Sequence, residues 1–100
     1  MNTPKIVASS DDSSLSQHRE DGRQLLYDLV KELVTDSSSI QVSLEVGERT
    51  TVYHVACSKD CIGQILGSKG KNISAVRTLI GSISARKGFR AIVEIPFFQD

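Results

Sequence analysis

The sequence predicts a single small α+β domain whose elements follow the order α-β-β-α-α-β. Hydrophobic residues recur at helical spacing in three segments and alternate with polar residues in three others. The chain has 100 residues, of which 39% are hydrophobic, which suits one core but not two. No apolar run reaches the roughly 18 residues of a transmembrane helix. No apolar stretch follows Met1, so we expect a cytoplasmic protein without a secretory signal.

The first predicted helix begins at Asp21. Residues 1–20 show no hydrophobic periodicity, so we expect a disordered serine-rich leader there, with the folded domain over residues 21–100. Asp21 and Gln24 have the spacing of an N-terminal cap. Helical spacing then relates six apolar residues, which form one stripe: Leu25, Leu26, Leu29, Val30, Leu33 and Val34. Asp36 and three serines end the helix.

Three segments have the period of two that is typical of strands with one buried face. Residues 40–46 alternate strictly, and Gly47-Glu48-Arg49 predicts a turn into a second strand from Thr51 to Cys57. The third strand covers residues 90–95, and Pro96 ends it.

Two further helices lie between the second and third strands. Ser58 is a good N-cap for a helix from Lys59 to about Leu66. The sequence Gly67-Ser68-Lys69-Gly70 interrupts the helical pattern, and a longer helix is predicted from about Lys71 to Lys87. We expect its apolar residues, Leu79, Ile80 and Ile83, to belong to the core.

Positive charge is concentrated in one third of the chain. The whole sequence has 12 basic and 12 acidic residues and no net charge. Residues 57–90 nevertheless contain one acidic residue, Asp60, and seven basic residues. The basic residues are Lys59, Lys69, Lys71, Arg77, Arg86, Lys87 and Arg90. This segregation favours an anion-binding face, although a solvated basic helix surface would give the same pattern.

The break between the second and third helices has the chemistry of a phosphate clamp. Gly67 and Gly70 permit a tight turn and let an anion approach the backbone closely. The next helix starts here, so its unpaired N–H groups and positive dipole end are available to an anion. Lys69 and Lys71 add full charges. The alternative is that the glycines merely join two helices.

The run from Ile65 to Ile73, I-L-G-S-K-G-K-N-I, resembles the loop of a type II K-homology (KH) domain. From about Asp21 to Pro96 the chain is similar to KhpA, a bacterial family of single-KH RNA-binding proteins. The resemblance implies a mixed three-stranded sheet with three helices on one face, and a groove for about four unpaired nucleotides. It also implies an RNA chaperone or post-transcriptional regulator. The implied partners are single-stranded RNA and a second KH chain, either as a homodimer or as a heterodimer with a KhpB/Jag-type protein.

The same resemblance assigns RNA-binding positions. The clamp corresponds to Gly67, Ser68, Lys69 and Gly70, followed by Lys71 and Asn72. Apolar positions near the groove floor are Ile62, Ile65 and Ile73. The concentration of positive charge adds Arg77, one or two turns along the third helix, as a further candidate contact, although it could equally be an exposed residue of that helix. The opposite wall is expected on the third strand, at Arg90 and Ile92.

Neither an enzyme nor a metal protein is expected. Cys57 and Cys61 have no further cysteine or histidine at zinc-ligand spacing, so we predict that they are small buried or half-buried thiols. No nucleotide-hydrolysis motif or catalytic acid–base pair occurs, and we predict no cofactor. The remaining alternative is a protein-interaction module on a KH scaffold, with weak or no RNA binding.

Overall fold

A computed structural model describes the backbone of residues 7–95 and the side chains of residues 14–95. Its elements confirm the predicted α+β class and the predicted order. They are α1 (Val7–Leu33), β1 (Gln41–Val46), β2 (Thr50–Ala56), α2 (Lys59–Leu66), a 3-10 turn (Ser68–Gly70), α3 (Lys71–Arg86) and β3 (Arg90–Glu94).

The three strands form one mixed sheet in the order β1-β2-β3. The tight turn at residues 47–49 makes β1 and β2 antiparallel, with Leu44 opposite Tyr53. The connection from β2 to β3 contains α2 and α3, and this crossover makes β3 parallel to β2, with Val93 opposite Tyr53. Residues that face each other across the strands therefore share one side of the sheet.

The core lies between that side of the sheet and the helices. In β2 every second residue is buried, namely Thr51, Tyr53 and Val55. Helix α1 packs on β1 and β2, and α3 packs on β3. The helices supply the rest of the core, in which the fully or nearly fully buried side chains include Leu26, Val30, Ile65, Ile73, Val76 and Ile80.

Tyr53 fixes the position of α1 on the sheet. Its side chain is fully buried, and its hydroxyl donates a 2.7 Å hydrogen bond to the carbonyl of Arg19. Burial raises the pKa of Tyr53 to about 12, because the phenolate would lose its hydration. Gly22 packs against the ring: a Cβ there would lie 3.1 Å from Tyr53 Cζ and closer still to the hydroxyl. The helix can approach β2 closely because position 22 has no side chain.

The start of α1 differs from the sequence prediction. The helix begins at Val7 rather than at the predicted Asp21, so residues 7–20, which were predicted as a leader, belong to α1. Residues 1–6 lie outside the described part of the chain. The physical reason is tertiary packing, since Leu15 lies beside Gly88 and the Arg19 guanidinium lies over the ring of Phe89. The predicted boundary at residue 20 falls inside this helix.

Among the described residues, no helix has the length and apolar character needed to cross a bilayer.

Candidate nucleic-acid interface

The loop between α2 and α3, residues 67–70, is called the glycine loop, and main-chain hydrogen bonds hold it in a tight turn. Gly67 donates to the carbonyl of Gly63 at 2.9 Å, and Gly70 donates to the carbonyl of Gly67 at 3.0 Å. Both glycines have positive φ, 77° at Gly67 and 73° at Gly70, in the region that favours residues without a Cβ. The predicted interruption therefore exists, and its two glycines are required by backbone conformation.

Asn72 holds the two helices at a fixed angle. Its Nδ2 donates a 3.0 Å hydrogen bond to the carbonyl of Gln64, near the end of α2. A Cβ at Gly67 would lie only 2.6 Å from Asn72 Cγ, so the asparagine fits because the loop begins with glycine. The structure thus gives Asn72, predicted as an RNA contact, a bond within the protein.

Ser68 and Lys69 form the exposed tip of the glycine loop. Lys69 has φ 56° and ψ 27°, a left-handed conformation that costs a non-glycine residue about 1–3 kcal/mol. Within the described part of the chain, the main-chain N–H groups of Ser68 and Lys69 have no hydrogen-bond acceptor. Successive unpaired amides in this kind of turn make a concave site for an anion.

Three isoleucines were predicted near the groove floor, and the structure separates them. Ile65 is fully buried and Ile73 is 5% exposed, so both belong to the core and hold the glycine loop from beneath. Ile62 is half-buried on α2 and packs against that core. Only Ile62 retains substantial surface.

Arg77 ties α3 to β3. Its Nε and Nη2 both donate to the carbonyl of Val93, each at 3.2 Å. Six residues separate it from Lys71, so it lies about 9 Å along α3 from the glycine loop. The pattern of charges predicted Arg77 as an RNA contact, but it contained no sign of this bond to the third strand.

Arg90 and Ile92 do not lie with the glycine loop. In β3 the side chain of Val93 faces the core, so Ile92 and Glu94 face the side of the sheet away from the helices, while Arg90 lies at the start of the strand, beside the end of α3. Because β3 begins where α3 ends, the 16-residue helix also separates Arg90 from the loop by about 24 Å. The predicted groove wall at Arg90 and Ile92 is corrected accordingly: β3 approaches α3 through Val93.

The positive charge at the glycine loop is not neutralised by ion pairs. Among the described residues, the ion pairs of arginine and lysine lie in α1, and His54 contacts Glu45 and Glu94 on the outer face of the sheet. Neither Lys69 nor Lys71 takes part in one. Lys71 opens α3, where the helix dipole already favours an anion. Two charges and two unpaired amides therefore meet at the tip of the loop.

Leu79 is exposed, contrary to the expectation that it belongs to the core. It is 48% exposed on the outer face of α3, whereas Ile80 is buried. A shallow depression of about 650 Å³ runs from the glycine loop along this face. Its lining includes Lys71, Ser74, Thr78, Leu79 and Ser82.

The two cysteines are free and buried, as predicted. Burial raises the pKa of the Cys57 thiol, with a smaller contribution from nearby Cys61. The described residues contain no group of three or more metal-ligating side chains.

The parallel pairing of β2 and β3, and the glycine-flanked loop between the two helices that connect them, define a type II KH domain. Residues 23–95 match the sequence model of a family described as the KH domain of KhpA and KhpB. The chain belongs to this KhpA/KhpB family. The family consists of KH-domain proteins rather than enzymes, which confirms that part of the sequence prediction.

Curated relatives match about seven tenths of the chain. The RNA-binding protein KhpA of Chlamydia pneumoniae is 32% identical over 73 residues, which are 73% of this chain and 94% of that protein. Borreliella burgdorferi KhpA is 31% identical over 72 residues, 72% of this chain and 88% of the relative. Streptococcus pneumoniae KhpA is 27% identical over 71 residues, 70% of this chain and 90% of the relative.

Proposed function

We propose that this protein binds single-stranded RNA and that the glycine loop holds its sugar-phosphate backbone. The observation that carries the proposal is the exposed tip of the loop, where the N–H groups of Ser68 and Lys69 have no acceptor among the described residues. The side chains of Lys69 and Lys71 add positive charge there. The names of the curated relatives support RNA as the ligand.

The loop binds the phosphates of the strand rather than its bases, because the hydrogen-bond donors of the loop belong mainly to the backbone. Main-chain amides and lysines bind phosphate oxygens of any sequence, so they position the strand without reading its bases. Base contacts come from the surface beside the loop, at Ile62 on α2 and Arg77 on α3. A groove of this kind holds about four nucleotides. We therefore expect modest sequence preference and weak affinity for one domain.

A role as an RNA chaperone or post-transcriptional regulator is part of the same proposal. Weak, sequence-tolerant binding permits rapid exchange between RNAs, as such roles require. The cytoplasm is the proposed compartment, and two reduced, buried thiols suit its reducing conditions.

The test of RNA binding is the double variant Ser68→Asp/Lys69→Asp. Two carboxylates at the loop tip would face the phosphates, so binding to a fluorescent single-stranded RNA should be abolished. Circular dichroism and thermal melting should stay near wild type, because both side chains are exposed. Ser16→Asp/Lys31→Asp is the matched control: it changes the net charge equally, on α1, and should preserve binding. Full RNA binding by the folded loop variant would refute the proposal.

A second candidate function is association with another KH chain, as a homodimer or with a KhpB-type protein. The exposed Leu79 in the middle of the α3 outer face favours it. Salt separates the two candidates. RNA binding should weaken with a log–log slope of about −0.7 per phosphate contacted, whereas an apolar contact through Leu79 should respond little. Leu79→Glu should dissociate such a dimer in light scattering; an unchanged mass would exclude this face.

A further inference from the structure

A second basic cluster lies at the end of α3 opposite the glycine loop. A shallow depression of about 520 Å³ is bordered there by Arg49, in the β1–β2 turn, and Arg90, at the start of β3. Thr50 is the sheet partner of Arg90, which brings the preceding Arg49 close to it. The depression and its lining are called the corner patch: Arg49, Gly81, Ala85, Gly88, Phe89, Arg90 and Ala91.

Among the residues whose side chains are described, no acidic group pairs with the two arginines of the corner patch. Both are exposed, and neither forms an ion pair or hydrogen bond with any residue that is described. Arg86 and Lys87 follow at the C-terminus of α3, where the helix dipole itself favours cations. That explanation does not extend to Arg49 and Arg90, which lie outside the helix. An anion in the depression would relieve the repulsion among these charges.

Gly81 indicates that the depression is kept open. Glycine in the middle of a helix costs about 1 kcal/mol relative to alanine. A Cβ at Gly81 would meet no atom within 4 Å, so packing inside this chain does not require glycine there. The missing side chain instead leaves the α3 backbone accessible to a ligand between Arg49 and Arg90.

A depression along the outer face of α3, lined by small polar residues together with Ala75 and Leu79, leads from the glycine loop towards the corner patch. The depression on the outer face of α3 starts at Lys69 and Gly70 and continues past Ser74, Thr78 and Ser82. Arg86, one helical turn beyond Ser82, brings it to the end of α3. The whole path is about 24 Å long, from 16 residues at 1.5 Å each.

The N-terminal half of α1 braces the corner patch. Arg19 donates to Thr51 Oγ1 at 3.0 Å and places its guanidinium 5.8 Å from the centre of the Phe89 ring. Leu15 lies beside Gly88. Both residues precede the part of the chain that matches the family, residues 23–95.

From these observations we propose that the corner patch is a second phosphate-binding surface for the same RNA strand. A strand held by the glycine loop continues along α3, and Arg49 and Arg90 bind its phosphates at the far end. The footprint then exceeds the roughly four nucleotides of one KH groove. This inference rests on the proposed function, because the loop must first hold the strand.

The experiment compares two RNAs of the same repeating composition, one of about four nucleotides and one three times longer. The variant Arg49→Gln/Arg90→Gln removes two exposed charges. Lys31→Glu is the control, since it changes the net charge equally on α1. Ser68→Asp/Lys69→Asp reports on the glycine loop. Affinities are measured between 50 and 200 mM salt by fluorescence anisotropy, and mass by light scattering.

We expect the corner variant to bind the short RNA like wild type and the long RNA several-fold more weakly. Losing two phosphate contacts makes the salt slope less negative by about 1.4, so the fourfold rise in salt weakens long-RNA binding about sevenfold less than in wild type. The control should match wild type with both RNAs.

Wild-type binding of the long RNA by the corner variant would overturn the second surface. If the loop variant then binds neither RNA, the proposed function survives this result. If a folded corner variant binds the short and the long RNA with equally reduced affinity, the second surface is also overturned. The patch would then not bind the strand independently of the glycine loop. A changed mass would assign the patch to a protein partner instead. If the wild-type protein binds neither RNA, both proposals fail together.

Discussion

Replacing Gly22 by alanine is expected to destabilise the protein, although alanine is normally preferred inside a helix. The new Cβ would lie 3.1 Å from Tyr53 Cζ and nearer still to the hydroxyl, while the Tyr53 ring is fully buried. Overpacking of this kind costs about 1–3 kcal/mol, against a gain of about 1 kcal/mol in helix propensity. The clash also threatens the bond from Tyr53 to Arg19, worth about 1 kcal/mol. The net loss should be about 1–3 kcal/mol if that bond is lost as well, or roughly 4–24 °C in Tm for a domain of this size.

Thermal and urea unfolding followed by circular dichroism measure this loss. Gly63→Ala is the control, because that glycine lies in α2 and its Cβ would meet nothing within 4 Å. The control should be stabilised by up to about 1 kcal/mol. In Gly22→Ala/Tyr53→Phe the clashing oxygen is absent, so the two losses should not add. A Gly22→Ala protein as stable as wild type would refute the close contact between α1 and β2.

Two further predictions concern the glycine loop and pH. Gly70→Ala should lower the free energy of unfolding by about 1–2 kcal/mol, because alanine is strained at the positive φ of that position. Gly67→Ala should lower it by about 1 kcal/mol more, because the new Cβ also displaces Asn72 from the carbonyl of Gln64. Equal midpoints of urea unfolding for the two variants would contradict this prediction. Folding raises the pKa of Tyr53 from 10.0 to about 12, so the folded state keeps its proton where the unfolded state loses it. Stability should therefore fall as the pH rises from about 10 to about 12, and Tyr53→Phe should remove that part of the fall in melting curves; identical pH dependence in both proteins would contradict it.

The elements that could be predicted from the sequence are those that their own local pattern specifies. Strict alternation in residues 40–46 identified β1, and the two glycines at 67 and 70 identified the turn between α2 and α3. Both signals are local, since burial on one face fixes a period and a positive φ requires glycine.

The features that could not be predicted depend on contacts between distant parts of the chain. The first turns of α1 show no apolar stripe, and Arg19 finds its partners at Thr51 and Phe89, 32 and 70 residues later. The exposure of Leu79 follows from which face of α3 the sheet covers, which periodicity alone does not define. The bond from Arg77 to Val93 joins a side chain to a main-chain carbonyl. Every residue has such a carbonyl, so the sequence does not indicate which one Arg77 contacts.

The contact of Leu15 and Arg19 with Gly88 and Phe89 has a consequence for synthesis of the protein. The first helix packs against the turn that leads into the last strand, and β2, in the centre of the sheet, needs β3 on its open edge. A nascent chain emerging from the ribosome therefore lacks its closing contacts until β3 has been translated. Contacts between distant parts of the sequence form slowly during folding. Until β3 pairs with β2, the partly formed sheet exposes an unpaired strand edge and is prone to aggregation. A substitution that disrupts packing near one end of the domain should therefore also destabilise the other end.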